Sequence, residues 1–373
     1  MNIKKILQES GIILNGPNPW DPKIHNPKTI ERILSEGSLG MGESYMDGWW
    51  DCEEIDTLIC KIIKSKVNFS IMNFPFLFSI IKAKLLNLQN LKRASKVGKV
   101  HYDIGNDLYK NMLDKKMVYS CAYWHNAKNL DQAQEAKLDL ICKKLNLKKG
   151  MRVLDIGCGW GSFAKFAAEK YQVSVLGITI SQEQASLAKK LCKGLPIEIR
   201  LQDYRSLNEK FDAIASIGMF EHVGCKNYKN YMKVVAKALK DDGLFLLHTI
   251  GGNITTCHAN EPWIEKYIFP NSMLPSVKWI SKATEGIFLI EDWHNFGADY
   301  DLTLKSWYKN FEDHWPIIKN NYSDRFYRMW RYYLLAMSGA FRSRALQCWQ
   351  ILFSKHGIDG GFNYCLRWMN DRS

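Results

Sequence analysis

Apolar positions along the second half of the chain change period in a regular order. A helical stripe over Leu130–Leu145 carries Leu138, Ile141, Cys142 and Leu145 on one face. Val153, Leu154 and Ile156 then form a short strand, and Phe163, Ala164, Phe166 and Ala167 mark a helix. Further strands are predicted at Val173–Ile178, Ile197–Leu201, Phe211–Ile217 and Leu244–Thr249, with helices over Ser181–Cys192 and Tyr228–Leu239. Phe288–Glu291 and Cys348–Phe353 supply a sixth and a seventh strand, separated by a long helical stretch, Leu302–Phe341. Alternating strands and helices predict an α/β fold: a mainly parallel, Rossmann-like sheet covered by helices on both faces. Gly251–Lys282 is polar, with aromatics and three prolines, and reads as an insertion over the site.

The N-terminal pattern is different. Pro27–Ser38 reads as a helix with Ile30, Ile33 and Leu34 on one side, and Gly37–Cys52 as a compact loop that buries aromatic rings. Between Lys61 and Val100 there is no acid, but there are nine bases, which flank the apolar run Ile71–Ile81. That run is shorter than the ~20 residues needed to cross a bilayer, and Pro75 interrupts it. Two readings fit: a segment lying on an anionic membrane surface, or a core helix with a solvated basic rim. The expected division is a helical, lipid-associated domain over residues 1–99 and a catalytic domain over residues 100–373.

Composition adds charge. A net charge of +13 on 373 residues points to an anionic partner and says nothing about fold. Ten cysteines without a C-x-x-C pair suit reduced thiols in a cytoplasm. The polar start, Met1–Gly11, does not read as a signal peptide.

Candidate chemistry centres on Met151–Ser162. A strand runs into glycines at 157, 159 and 161 and then into a helix, the setting of a nucleotide-binding turn. The spacing is G-x-G-x-G rather than the dinucleotide G-x-G-x-x-G, and Asp155 sits two residues before the first glycine. This form resembles motif I of class I S-adenosylmethionine (SAM) methyltransferases. Ligands of such sheets bind at the carboxyl ends of the strands. Those ends carry Thr179, Ile180, Ser181 and Gln184; Gln202 and Asp203; Glu221 and His222; His248 and Ile250; and the run from Asp292 to Tyr300. No acid directly follows the second strand, so Gln184 is expected at the ribose, with Asp203 at the adenine amino group.

Each residue also has a plainer reading. Glu221 could be an acid favoured at a helix start, His248 a core histidine, and Tyr300 an interface ring. Cys121 and Cys158 could be inert small hydrophobes. Cys225, His248, Cys257 and His258 match no zinc spacing, and no metal is expected.

Longer motifs narrow the choice. Gly-Glu-Ser-Tyr-Met-Asp-Gly-Trp-Trp (42–50), His-Tyr-Asp-Ile-Gly-Asn-Asp (101–107), Tyr-Ser-Cys-Ala-Tyr-Trp (119–124) and Gly-Met-Phe-Glu-His-Val-Gly (218–224) resemble the cyclopropane-fatty-acyl-phospholipid synthase family. So do Leu-Leu-His-Thr-Ile-Gly (246–251), Trp-Ile-Glu-Lys-Tyr-Ile-Phe-Pro-Asn (263–271), Glu-Asp-Trp-His-Asn-Phe-Gly-Ala-Asp-Tyr (291–300) and Gly-Ala-Phe-Arg-Ser-Arg (339–344). The likeness runs in order from about residue 30 to about residue 355, leaving the tail from Gly357 unmatched. It implies a seven-stranded class I methyltransferase sheet with its last strand reversed.

The implied reaction is methylene transfer from SAM to a cis double bond of a phospholipid acyl chain. A carbocation forms after methyl transfer, and a bound bicarbonate removes the proton. By resemblance, Cys121, Glu221, His248, Ile250 and Tyr300 hold that anion. The cofactor shell is Tyr119, Ser120, Leu154, Asp155, Ile156, Gly157, Cys158, Gly159, Trp160, Gly161, Ser162, Thr179, Ile180, Ser181, Gln182, Glu183, Gln184, Gln202 and Asp203. Some members carry a cysteine where this chain has Met337, so a thiol there is not an essential nucleophile in this protein.

The expected partner is the anionic surface and unsaturated acyl chains of a phospholipid bilayer, not nucleic acid. The expected place is the cytoplasm, at the inner face of the cell membrane, as a homodimer. Three alternatives remain: a methyltransferase that leaves the ring open, a basic RNA methyltransferase, and a lipid-binding protein without catalysis. Glu221 and His248 argue against the last.

Overall fold

The computed structural model describes residues 7–65, 105–256 and 261–362. The chain forms two compact units. One comprises Leu88–Thr256, Met273–Asp299 and Gln347–Ser373; the other comprises Met1–Asn87, Cys257–Ser272 and Tyr300–Leu346. The expected boundary at residue 99 lies outside the described residues. The described ones add that the N-terminal unit also draws on two later stretches of chain.

The first of these units is built on a seven-stranded sheet. Its strands are β1 (Arg152–Ile156), β2 (Ser174–Thr179), β3 (Ile197–Leu201), β4 (Phe211–Ile217), β5 (Leu239–Gly252), β6 (Leu289–Asn295) and β7 (Leu346–Ser354). The order is β3-β2-β1-β4-β5-β7-β6. β1 pairs in parallel with β2 and β4, whereas β7 runs antiparallel to β6 and lies between it and β5. The reversed last strand is therefore present.

Side-chain alternation along β1 sorts the core. Leu154 and Ile156 enter the cluster containing Phe211, Tyr228, Tyr231 and Phe245, while Val153 enters the opposite cluster with Leu138, Ile141 and Phe163. Asp155 shares the Val153 face, the one covered by helix α1 (Leu130–Lys144). Helix α2 (Ser162–Tyr171) follows the glycine turn, and helix α3 (Gln182–Leu191) is capped by Ser181, whose Oγ accepts the Gln184 amide at 3.3 Å.

The other unit is helical. Its stretch Gly37–Cys52 is not the expected loop, because Ser38–Met46 forms a helix. The glycines that suggested a loop instead allow close packing: a Cβ on Gly42 would run into the Trp263 ring, and one on Gly40 would lie 2.5 Å from the Arg32 carbonyl oxygen. Buried Glu43 on this helix accepts from Arg32, Lys266 and Tyr267.

Two further expectations need correction. The stretch Leu302–Phe341 is two helices, Ala298–Ile318 and Asp324–Arg342, parted just after Pro316. Residues 251–282 are not a single insertion. Pro262–Tyr267 belongs to the helical unit, and Val277–Thr284 packs on Tyr228–Ala238 beside the sheet. Seven cysteines are buried free thiols, but Cys225 is in a disulfide, which departs from the expected all-reduced set. Of the basic stretch 61–99, everything beyond Ser65 lies outside the described residues. No helix among the described residues is long and apolar enough to cross a membrane.

Candidate functional site

The glycine turn forms at the end of β1, where the amides of Gly157 and Cys158 both donate to the Ile178 carbonyl, at 2.9 and 3.0 Å. Gly157 (φ +80°) lies tight against Met219, which a Cβ would approach at 2.7 Å. At Gly159 (φ +54°) a Cβ would meet nothing within 4 Å, leaving an open left-handed turn at the head of the sheet. Beside it Trp160 packs on Tyr109 with ring centroids 5.0 Å apart, and its indole donates to Asn106 Oδ1 at 3.2 Å. Tyr119 also packs on Tyr109, at 5.1 Å. These three rings cluster beside the turn, and Leu154 and Ile156 hold the strand below it in the core.

At the end of β2, Thr179 Oγ1 hydrogen-bonds Gln184 Oε1 at 3.0 Å and accepts the Ser181 amide at 3.2 Å. Ile180 is about half exposed; Gln182 and Glu183 are exposed, with Gln182 turned to Ser186 at 3.4 Å. The Ser162 hydroxyl donates to the Lys116 carbonyl at 2.6 Å, and Gln202 Nε2 donates to the Ser206 carbonyl at 3.3 Å. Burial alone would raise the Asp203 carboxyl, but the Arg205 guanidinium clamps both its oxygens, at 2.8 and 2.7 Å, and holds it below the usual carboxylate range.

Glu221 is on a single turn of 3-10 helix after β4, where the Met273 amide holds its backbone oxygen at 2.8 Å. Its side chain is buried. Oε1 accepts the Ile250 amide at 2.6 Å, and Oε2 has no hydrogen-bond partner among the described residues. Burial pushes the carboxyl up to about 7, against the pull of the Ile250 amide. The Ile250 N–H is committed to Glu221, and its carbonyl accepts the Thr249 hydroxyl at 3.1 Å.

His248 is buried in β5. Its Nε2 faces Cys348 Sγ at 3.5 Å, and its Nδ1 has no partner among the described residues. Burial holds the imidazole well below its ordinary value, with the charges of Lys137 and Lys144 acting in the same direction. Cys121 is fully buried; its thiol donates to the Ala122 carbonyl at 3.3 Å, and burial and Cys348 raise it well above the usual range. It is therefore a neutral small group, not a thiolate nucleophile. Phe296 packs edge-on to His248 at 5.5 Å and to Tyr123 at 5.9 Å, so aromatic rings surround the imidazole. Tyr300 belongs to the helical unit, where it packs on Phe341 at 4.4 Å and on Trp307 at 5.9 Å.

Sequence reasoning missed Cys348, Gln134 and Lys137, and held Phe296 only as part of the run from Asp292 to Tyr300. Gln134 and Lys137 were visible as polar positions on an apolar stripe, since Leu130, Gln134, Lys137, Ile141 and Lys144 all fall on the buried side of α1.

The strand order, the reversed seventh strand and the glycine turn at the head of β1 define a class I SAM-dependent methyltransferase fold. The family model for mycolic acid cyclopropane synthetase matches residues 89–351, and the chain belongs to this family. It is 54% identical over 358 residues to the cyclopropane-fatty-acyl-phospholipid synthase of Escherichia coli K12, an alignment covering 96% of this chain and 93% of that one. A probable fatty acid methyltransferase of Pseudomonas putida is 38% identical over 70% of this chain and 69% of its own. The crystal structure of mycolic acid cyclopropane synthase CmaA1 complexed with SAH and CTAB matches with a TM-score of 0.66 and 29% identity, over 70% of this chain and 98% of that one.

Proposed function

We propose that this chain transfers a methylene group from SAM to the cis double bond of unsaturated acyl chains in membrane phospholipids, forming cyclopropane fatty acids. The observation that carries the reading is its 54% identity, across 96% of its length, to the Escherichia coli enzyme named for that product. When bound, SAM supplies an electrophilic methyl group and bicarbonate supplies a negatively charged proton acceptor.

The residues fit SAM at the glycine turn. The open space at Gly159, the tight approach of Met219 to Gly157 and the unpartnered buried oxygen of Asp155 make a cradle with a polar floor. Tyr119, Trp160, Thr179 and Gln184 frame it, and Asp203, steadied by Arg205, keeps lone pairs for an amino group.

The residues also fit bicarbonate. Glu221 Oε2 and His248 Nδ1 are buried polar atoms with no hydrogen-bond partner among the described residues, and an ion that both donates and accepts answers both. His248 Nε2 and the Cys348 thiol lie 3.5 Å apart, and a neutral imidazole carrying its proton on Nδ1 would donate to the anion. Glu221 orients the Ile250 segment, whose carbonyl, already accepting the Thr249 hydroxyl, would keep a second lone pair toward the anion. Phe296 and Tyr123 exclude water from the pocket. Tyr300 joins this set by resemblance, as a hydroxyl donor.

The basic stretch 61–99 supports docking on the anionic inner face of the cell membrane. The test is mass spectrometry of lipids from cells expressing the protein and fed methyl-labelled methionine. Ring closure adds one labelled CH2 to unsaturated chains. A saturated methyl-branched product, heavier by two hydrogens, overturns the reading in favour of the open-ring alternative.

A further inference from the structure

Lys137 lies in the middle of α1 on its buried face, with no exposure to solvent. Burying a lysine is costly unless its charge is answered. Among the described residues its ammonium hydrogen-bonds a hydroxyl rather than a carboxylate: Nζ donates to Ser120 Oγ at 2.8 Å. One turn earlier, Gln134 Nε2 donates to the Ser120 carbonyl at 2.9 Å and to the Val118 carbonyl at 3.3 Å. Two polar side chains three residues apart therefore grip one residue, Ser120, by both its backbone and its hydroxyl.

Ser120 stands at the ligand end of the sheet. Its Cβ is 3.9 Å from where a Cβ on Gly218 would lie, one residue from the Met219 side chain that abuts Gly157. An ammonium group can only donate, so Ser120 Oγ spends acceptor capacity on Lys137, and its own hydrogen is available for a second partner. The groups facing Lys137 are spread over several elements. Asp114 precedes the Ser120 loop, Cys121 follows Ser120, Asp155 ends β1, Cys348 is in β7, and His248 in β5 feels its charge. The Asp114 oxygens are already occupied by the amides of Lys116 and Val118, at 2.9 and 2.8 Å. Asp155 Oδ2 has no hydrogen-bond partner among the described residues. Buried positive and negative groups thus stand apart at the floor of the SAM cradle.

SAM has one anionic group, the carboxylate of its amino-acid end, and an ammonium beside it. We propose that Lys137 is a positioning residue for the cofactor: through Ser120 it presents a one-way hydroxyl donor, backed by a buried positive charge, to the cofactor carboxylate. The inference rests on the SAM-site reading above and adds a buried lysine, outside the cofactor shell, that acts on the cofactor through Ser120.

The test compares two ligands by isothermal titration calorimetry on the full chain. S-adenosylhomocysteine carries the amino-acid end; 5'-methylthioadenosine has the same adenosine and thioether without it. Lys137→Met should weaken S-adenosylhomocysteine about tenfold or more and leave 5'-methylthioadenosine unchanged. Ser120→Ala should give the same selective loss, and the double variant no further loss. Lys137→Arg, which keeps the charge, should retain part of the discrimination. If Lys137→Met does not fold, as judged by its melting curve, Ser120→Ala and Lys137→Arg carry the test. Equal weakening of both ligands means a purely structural lysine and overturns the proposal, as does undiminished S-adenosylhomocysteine binding. A parent chain that binds neither ligand would count against the SAM site itself.

Discussion

Glu221 holds the backbone of Ile250: one carboxylate oxygen accepts its amide at 2.6 Å, tying the turn after β4 to the end of β5. The two residues lie 29 positions apart in sequence, and the bond ties the two strand ends together. The other Glu221 oxygen is buried with no hydrogen-bond partner among the described residues, and burial raises the carboxyl to about 7.

That rise has a stability consequence with a definite sign. The folded chain favours neutral Glu221, so its contribution is fully present below the unfolded value of 4.5 and is lost as pH rises through about 7. Glu221→Gln stays neutral and can still accept the Ile250 amide. In ligand-free, carbonate-free buffer the variant should gain on the parent from about pH 5 to about pH 8, by on the order of 3 kcal/mol at most, then level off. Urea unfolding at a series of pH values reads this. Asp155, also raised to about 7 by burial, titrates in both proteins and cancels from the difference. A gap that does not change with pH would show that Glu221 is not a buried neutral acid.

In the helical unit, Gly339 lets the helix Asp324–Arg342 pass directly over the carbonyl of Asp56 on the helix Ile55–Lys64. A methyl group there collides with backbone, which cannot swing aside. Arg342 binds Asp56 at 2.5 Å and Asp301 at 2.8 Å, so a forced separation also strains this pairing. Gly339→Ala should destabilise by about 1–3 kcal/mol despite alanine's better helix propensity. The comparison is the urea midpoint at constant slope. An unchanged or higher midpoint would mean the two helices adjust freely.

These cases show what the sequence discloses. The glycine turn, the seven strands and the strand-end residues are local patterns, so period and turn chemistry locate them. Gly40 and Gly42 read as loop residues because the Arg32 backbone and the Trp263 ring they accommodate come from distant or differently folded segments. Lys137 was overlooked because a lysine on an apolar stripe reveals nothing of its partner until Ser120 is brought beside it. Ile250 was recognisable as a site residue, but not that Glu221 takes its amide. Nor does the sequence alone reveal that residues 300–346 fold with the N-terminal stretch.

Membrane docking has its own test. The nine bases between Lys61 and Val100 are each worth about 1 kcal/mol near an anionic surface, screened by salt. Co-sedimentation with liposomes should rise with anionic lipid content and fall with ionic strength. Changing Lys82, Lys84, Lys92 and Arg93 together to Gln should weaken it. Equal sedimentation of parent and quadruple variant would return the segment to a core helix with a basic rim.

The proton acceptor is the last question the pocket poses. A hydrocarbon chain offers no acidic group before methyl transfer, so the acceptor has to be in place beforehand, within hydrogen-bond reach of the new methyl. Glu221 is poorly suited, because one oxygen is bound to Ile250 and burial favours its neutral form. Burial holds the His248 imidazole neutral, and its Nδ1 has no partner among the described residues, so it is better suited to holding an anion than to acting alone. The bicarbonate proposed for this site would supply the base that neither side chain provides. Glu221→Gln, His248→Gln and Tyr300→Phe should each lower cyclopropanation roughly a hundredfold or more, while S-adenosylhomocysteine still binds in calorimetry. Parent activity should fall in buffer stripped of carbon dioxide and return when bicarbonate is added. Full activity without carbonate would remove the anion and make Glu221 the base, with Glu221→Gln then the most damaging of the three.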